Sequence, residues 1–93
     1  MNGRLDMEAY YRNGVLDGLY TKYKHGKRIN EAFYVNNQKN GVERIYFEDR
    51  NNLGVLQQVI HWKMGKMDGP MEYYNPEGEV VLSYTYKDNK RVD

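Results

Sequence analysis

The side chains that usually do chemistry are scarce in this chain. There are two histidines, His25 and His61, one serine, Ser83, and no cysteine. His25 falls in a segment that reads as a turn, and His61 is followed at once by Trp62. No His-x-x-x-His or Glu-x-x-His spacing occurs, so the converging ligands of a zinc site have no source. Ser83 sits in the middle of an extended apolar run, with no sharp turn to expose it as a nucleophile. Gly14-x-x-x-Gly18 and Gly65-x-x-x-Gly69 look like phosphate cradles, but neither leads into a Lys-Ser/Thr pair or a helix start. Carboxylates are plentiful and scattered, which leaves a hydrolase with two acidic residues as an open alternative. The expectation is a protein that is not an enzyme and carries no metal or cofactor.

What the chain does repeat is an interval. Gly3 is followed by Tyr11 and Gly18, Gly26 by Tyr34 and Gly41, Gly54 by Trp62 and Gly69, and Gly78 by Tyr86 and Asp93. Each step is eight residues and then seven. Three residues after each aromatic stands Gly14, Asn37, Gly65 or Asn89, residue types that tolerate positive φ. Tyr23, Tyr46 and Tyr74 form a second register, five residues after Gly18, Gly41 and Gly69. A fixed period marks an array of one small unit. We place the units at about 3–17, 18–40, 41–68 and 69–93, within a single domain of 93 residues.

The unit reads as a β-hairpin. Asp17-Gly18, Asn40-Gly41 and Asp68-Gly69 are expected at tight turns. Between these marks lie short runs rich in Tyr, Val, Ile, Phe and Thr. The expected strands are 5–11, 18–24, 28–35, 42–47, 55–62, 71–74 and 80–86. Stepping back by two from the repeat aromatic defines one face: Tyr11, Ala9, Met7 and Leu5; Tyr34 and Ala32; Trp62, Ile60, Gln58 and Leu56; Tyr86, Tyr84, Leu82 and Val80. The other face carries Asp6, Glu8, Glu31, Gln57 and Ser83, with Phe33 and Val59 among them. The fold class that follows is all-β, an open antiparallel meander of about seven strands.

At this level of detail the sequence resembles a known family. Tyr11-Arg12-Asn13-Gly14-Val15-Leu16-Asp17-Gly18 with Tyr23-Lys24-His25-Gly26, and Trp62-Lys63-Met64-Gly65-Lys66-Met67-Asp68-Gly69 with Tyr74 and Gly78, are similar to the bacterial variant of the MORN repeat. Asn37 replaces a glycine in the second unit, and the third carries an insertion between Phe47 and Gly54. The resemblance implies tandem β-hairpins and a binding role. Short proteins made only of such repeats are often antitoxin or immunity proteins that block a cognate toxin. For eukaryotic members the resemblance implies membrane, phosphoinositide or scaffold association instead. A fragment of a longer repeat surface protein is a third alternative.

Candidate contact residues are those that leave the repeat. Tyr10, Tyr20, Phe33 and Tyr73 break the two aromatic registers, and tyrosine is favoured at interfaces. The interval from Gly41 to Gly54 is thirteen residues, so Glu48, Asp49 and Arg50 are expected on a projecting charged loop. The basic run Lys22, Lys24, His25, Lys27, Arg28 is the feature that suits anionic lipid. Lys plus Arg number 14 against 13 Asp plus Glu, so no strong field draws nucleic acid. No apolar run spans a bilayer, and the polar start 1–6 has no signal-peptide pattern. Cysteine is absent, as suits a reducing compartment, and the expected location is cytoplasmic. Both end strands are long and fairly apolar, so a homodimer, through sheet edges or face to face, or capture of a partner strand, is expected.

Overall fold

A computed structural model describes residues 5–93; the first repeat glycine, Gly3, lies outside the described residues. The chain forms one open antiparallel sheet: β1 (Leu5–Arg12), β2 (Val15–Lys24), β3 (Lys27–Val35), β4 (Gln38–Lys39), β5 (Gly41–Tyr46), β6 (Leu56–Lys63), β7 (Lys66–Tyr74), β8 (Val80–Lys87) and β9 (Lys90–Arg91). Neighbours in sequence are neighbours in the sheet, and β4 and β5 both pair with β3 as two parts of one interrupted strand. The slab measures 41 × 40 × 13 Å, which is the thickness of a single sheet with its side chains. No helix occurs among the described residues.

The turns are not at Asp17-Gly18, Asn40-Gly41 and Asp68-Gly69. They fall at Asn13-Gly14, His25-Gly26, Asn36-Asn37, Met64-Gly65 and Asp88-Asn89, where both residues of each pair have positive φ. This is the type I′ geometry, whose twist matches that of the flanking strands. Gly18 and Gly69 instead lie inside β2 and β7 with φ of 126° and 117°. They are bulges. From Ala9↔Tyr20 to Tyr11↔Leu16, β1 advances two residues while β2 advances four; Ile60↔Met71 and Trp62↔Met67 repeat this in β6 and β7. Toward the next strand the ladder is unbroken, with Gly18 opposite Tyr34, Gly41 opposite Trp62 and Gly69 opposite Tyr86. The bulges therefore lengthen the second strands to begin at Val15 and Lys66, earlier than the expected starts at Gly18 and Met71.

A second series of bulges falls on the first strands. Ile29, Gln57 and Val81 are the extra residues in β3, β6 and β8, where Lys22, Ile45 and Tyr73 face two residues each. Each lies three residues after Gly26, Gly54 or Gly78. This corrects the expected face. Beyond the bulge, Leu56 and Val80 stand opposite Tyr46 and Tyr74, not in line with Gln58 and Leu82. It also corrects the off-register reading of two aromatics. Tyr10 and Phe33 share a repeat position with His61, and their Cβ atoms approach Gly18, Gly41 and Gly69; a Cβ at those glycines would lie 3.2, 3.8 and 3.2 Å away.

Units are locked together at their turns. The amides of Asn37, Gly65 and Asn89 donate to the carbonyls of Leu16, Lys39 and Met67 at 2.8, 2.8 and 2.9 Å. Where the turn residue is asparagine, its Oδ1 also accepts from the N–H of Leu16 or Met67, each at 2.7 Å. Asp17 and Asn40 do not turn the chain; their side-chain oxygens accept from the first amide of the next unit's turn, Asn36 at 3.3 Å and Met64 at 3.0 Å. Asp17 and Asn40 thus brace a neighbouring hairpin.

Two stability predictions follow from these positions. Gly69→Ala places a Cβ in a left-handed conformation against His61 and is expected to lower stability by about 1–3 kcal/mol, read by urea unfolding. Met64 has φ of 46°, where its repeat equivalents are Asn13, Asn36 and Asp88. Met64→Asn should raise stability by roughly 1 kcal/mol, and an unchanged midpoint would count against the turn assignment.

Candidate binding surface

Ladder partners share a face, so the register sorts every strand residue. One face gathers Tyr20, Tyr34, Trp62, Tyr73, Tyr84 and Tyr86, with Ala32, Ile60 and Met71 beneath them; Tyr11 joins them by repeat position. Ala32, Ile60 and Met71 are buried, because long neighbours on adjacent strands fold over them. The Tyr20 and Tyr34 rings lie 5.7 Å apart. Arg91 lies 4.0 Å from the Tyr84 ring centroid and Lys39 Nζ 4.9 Å from that of Trp62. We call this the aromatic face.

At its centre is a buried carboxylate. Glu43 is 4% exposed. Its Oε1 accepts from Trp62 Nε1 at 2.9 Å, its Oε2 from Asn30 Nδ2 at 2.9 Å, and Lys39 Nζ lies 3.1 Å from both oxygens. A buried charge is tolerated only when paired and hydrogen-bonded, and here three strands converge to do so. Sequence reading missed this cluster. Its signal was that Glu43 occupies the position of Tyr20 and Met71, two residues after Gly41, where an apolar side chain is the norm.

The opposite face is banded. A row nearest the Gly26 and Gly54 rim holds Tyr23, Arg28 and Tyr46; the next holds Glu8, Thr21, Glu31, Arg44, Val59, Glu72 and Ser83; the third holds Leu19, Phe33, Val42, His61, Pro70 and Thr85, with Tyr10 at its end. Pro70 stands within β7. His61 Nδ1 contacts the Pro70 carbonyl at 2.7 Å. The first two rows are tied by phenols. Tyr23 donates to Glu8 at 3.1 Å, Tyr46 to Glu31 at 3.0 Å and Tyr74 to Glu72 at 2.8 Å. In the third unit Val59 takes the glutamate position, and the carboxylate is supplied one strand over by Glu72.

These contacts hold all three phenols above the usual tyrosine value. The carboxylate hydrogen bond leads for Tyr23 and Tyr74, and burial leads for Tyr46, followed by its bond to Glu31. Glu31 in turn raises Arg28.

The candidate contact residues are not brought together. Tyr20 and Tyr73 stand on the aromatic face, Tyr10 and Phe33 on the banded face, and Glu48, Asp49 and Arg50 on the loop between β5 and β6. That loop is tied down: Phe47 N–H donates to Val55 O, Gly54 N–H to Phe47 O and Asn52 Nδ2 to Asp49 Oδ2, and Glu48 lies 3.9 Å from Lys24. The basic run does not form one patch either, since Lys22 shares a face with Asn30 while Arg28 stands opposite Tyr23 on the other. An open hollow of about 350 Å³ lies among Tyr23, Gly26, Lys27, Arg28, Tyr46 and Gly54. Among the described residues no group of three or more potential metal ligands occurs. No family model matches the chain, nor does any curated protein or any solved structure.

Replacing Glu43 by leucine leaves Trp62 Nε1, Asn30 and Lys39 without their acceptor. The expected loss is about 3–5 kcal/mol, measured by urea unfolding, with Glu43→Gln losing less. The three phenols give a pH dependence of definite sign. Their pKa values are raised in the folded protein, so their contribution is present below the unfolded value of about 10 and is lost as pH rises through the folded values. Ultraviolet phenolate titration should show a late phase that disappears in the Tyr23→Phe, Tyr46→Phe, Tyr74→Phe triple variant.

Proposed function

We propose that the chain is a non-catalytic protein-binding module of the bacterial MORN-variant kind, an antitoxin- or immunity-type protein that binds a cognate toxin and blocks it. The aromatic face carries this reading. Tyr, Trp, Met and Arg are the residues enriched at protein interfaces, and the face supplies them side by side on a rigid sheet. At 41 × 40 Å the sheet exceeds the roughly 800 Å² that each partner contributes to a standard interface. The toxin-blocking part of the reading draws on the sequence resemblance alone.

The charge on this face narrows the partner. Lys22 and Arg91 stand among the aromatics, Arg91 3.6 Å from Asp93, while Glu43 is consumed by its own donors. The complementary surface is therefore acidic as well as apolar.

Capture of the protein from its native host, followed by titration of the partner recovered, tests the reading. Lys22→Glu and Tyr84→Ala should each weaken that complex at least about tenfold, with unfolding midpoints close to the parent. If both variants bind and protect a toxin-expressing host as the parent does, the aromatic face is not the contact. Recovery on anionic vesicles alone would move the function to membranes.

A further inference from the structure

We propose that the banded face is a self-association surface, through which two copies of this chain pack face to face as a two-layer sandwich. The centre of the contact is the row Tyr10, Leu19, Phe33 and Val42. Tyr10, Leu19 and Phe33 are 63%, 42% and 45% exposed. They lie on adjacent strands β1, β2 and β3, with Leu19 directly opposite Phe33, so the exposed area is contiguous and not scattered. Among the described residues no helix or second sheet covers it, whereas an apolar sheet face is normally buried against another layer.

Three observations favour a second copy as the cover. The first is shape. The sheet is single and bulged at the same positions in successive units, so its twist is set by the repeat. An identical sheet has an identical twist, and aligned sheets pack at about −30° and roughly 10 Å apart. The second is the order of charge across the row. On one side Glu8, Glu31 and Glu72 outnumber Arg28 and Arg44, which lie 3.8 and 3.9 Å from Glu31, so that margin is acidic in net. On the other side, around the I′ turns, Arg12 pairs with Asp17, and Lys63 and Lys66 face each other across one turn as Lys87 and Lys90 do across another. A two-fold axis along the row sets the acidic margin of each copy over the basic margin of the other. The third is size. The rows span seven strand positions about 4.8 Å apart and three positions along each strand at about 6.8 Å. That area is on the order of 700 Å² per copy, close to the roughly 800 Å² of a standard interface.

The proposal is independent of any toxin and is tested without one. Sedimentation equilibrium of the full chain across the micromolar range should give twice the 11.1 kDa chain mass. Leu19→Lys and Phe33→Asp should each weaken dimerisation at least about tenfold. Phe33 packs over Gly41, so its variant needs a circular-dichroism check of folding; Leu19→Lys decides the matter if Phe33→Asp does not fold. Lys22→Glu, on the aromatic face, should leave the dimer intact. High salt should weaken the parent dimer through its charged margins. A single-chain mass at every concentration would overturn the proposal. So would a dimer that survives Leu19→Lys, which would place self-association at the sheet edges instead.

Discussion

The constraint on which the sheet depends is one glycine per second strand held at φ between 108° and 126°. A side chain there is disfavoured by the backbone conformation at all three, and at Gly18 and Gly69 it is also crowded by the Cβ of Tyr10 or His61, 3.2 Å away. The aromatic of the following unit stands opposite on the other side of the ladder. Each bulge is therefore enclosed by a residue from the unit before and an aromatic from the unit after. The bulge lets a ten-residue β2 pair with the eight-residue β1 on one side and keep an unbroken ladder with β3 from Gly18 to Lys22 on the other. Without it, the I′ turns would not fall in line, and the carbonyls of Leu16, Lys39 and Met67 would miss the amides they receive.

This arrangement explains how a chain with so few buried apolar side chains holds a sheet about 40 Å across. Stability in a linear array is carried by each unit and its junctions with its neighbours. The junctions here are of two kinds. At one rim, turn amides and asparagine side chains are satisfied by the neighbouring strand. On the banded face, the Tyr23–Glu8 and Tyr46–Glu31 pairs cross strands at the same place in two successive units. Where the glutamate is lost, at Val59, a carboxylate reappears at Glu72 and keeps the phenol of Tyr74 bonded. The hydrogen bond persists although the residue supplying it has moved by one strand.

Much of this was legible in the sequence because the repeat is written in glycine, asparagine and aromatic residues whose backbone demands differ. The all-β meander, the positive φ at Gly14, Asn37, Gly65 and Asn89, and most of the aromatic face follow from spacing alone. The turns were misplaced because Asp-Gly satisfies a hairpin turn and a bulge equally well by local chemistry. Only the cross-strand partner tells them apart. Leu56 and Val80 went to the wrong face for a related reason: a bulge shifts the alternation by one, and Ile29, Gln57 and Val81 have no residue type in common to announce it. Tyr10 and Phe33 looked irregular because their third equivalent is His61, so an aromatic count missed a position defined by its packing on glycine.

The two faces differ in a way that bears on what each can meet. Both are rich in aromatic and aliphatic groups, so apolar area does not distinguish them. Charge does. On the aromatic face the carboxylate at the centre, Glu43, is occupied by Trp62, Asn30 and Lys39, which leaves the cation of Lys22 at the surface, while Arg91 lies 3.6 Å from Asp93. On the banded face, the margin of Glu8, Glu31 and Glu72 is acidic in net despite Arg28 and Arg44, the margin of Lys63, Lys66, Lys87 and Lys90 is basic in net, and an apolar row lies between them. A surface whose exposed charge has one sign repels its own copy and favours an unlike partner. A surface with both signs arranged on either side of an apolar row is complementary to itself about an axis along that row. On the readings proposed above, such a sheet offers one face to its own kind and the other to a different protein, and the donors around Glu43 keep its carboxylate from being presented to that partner.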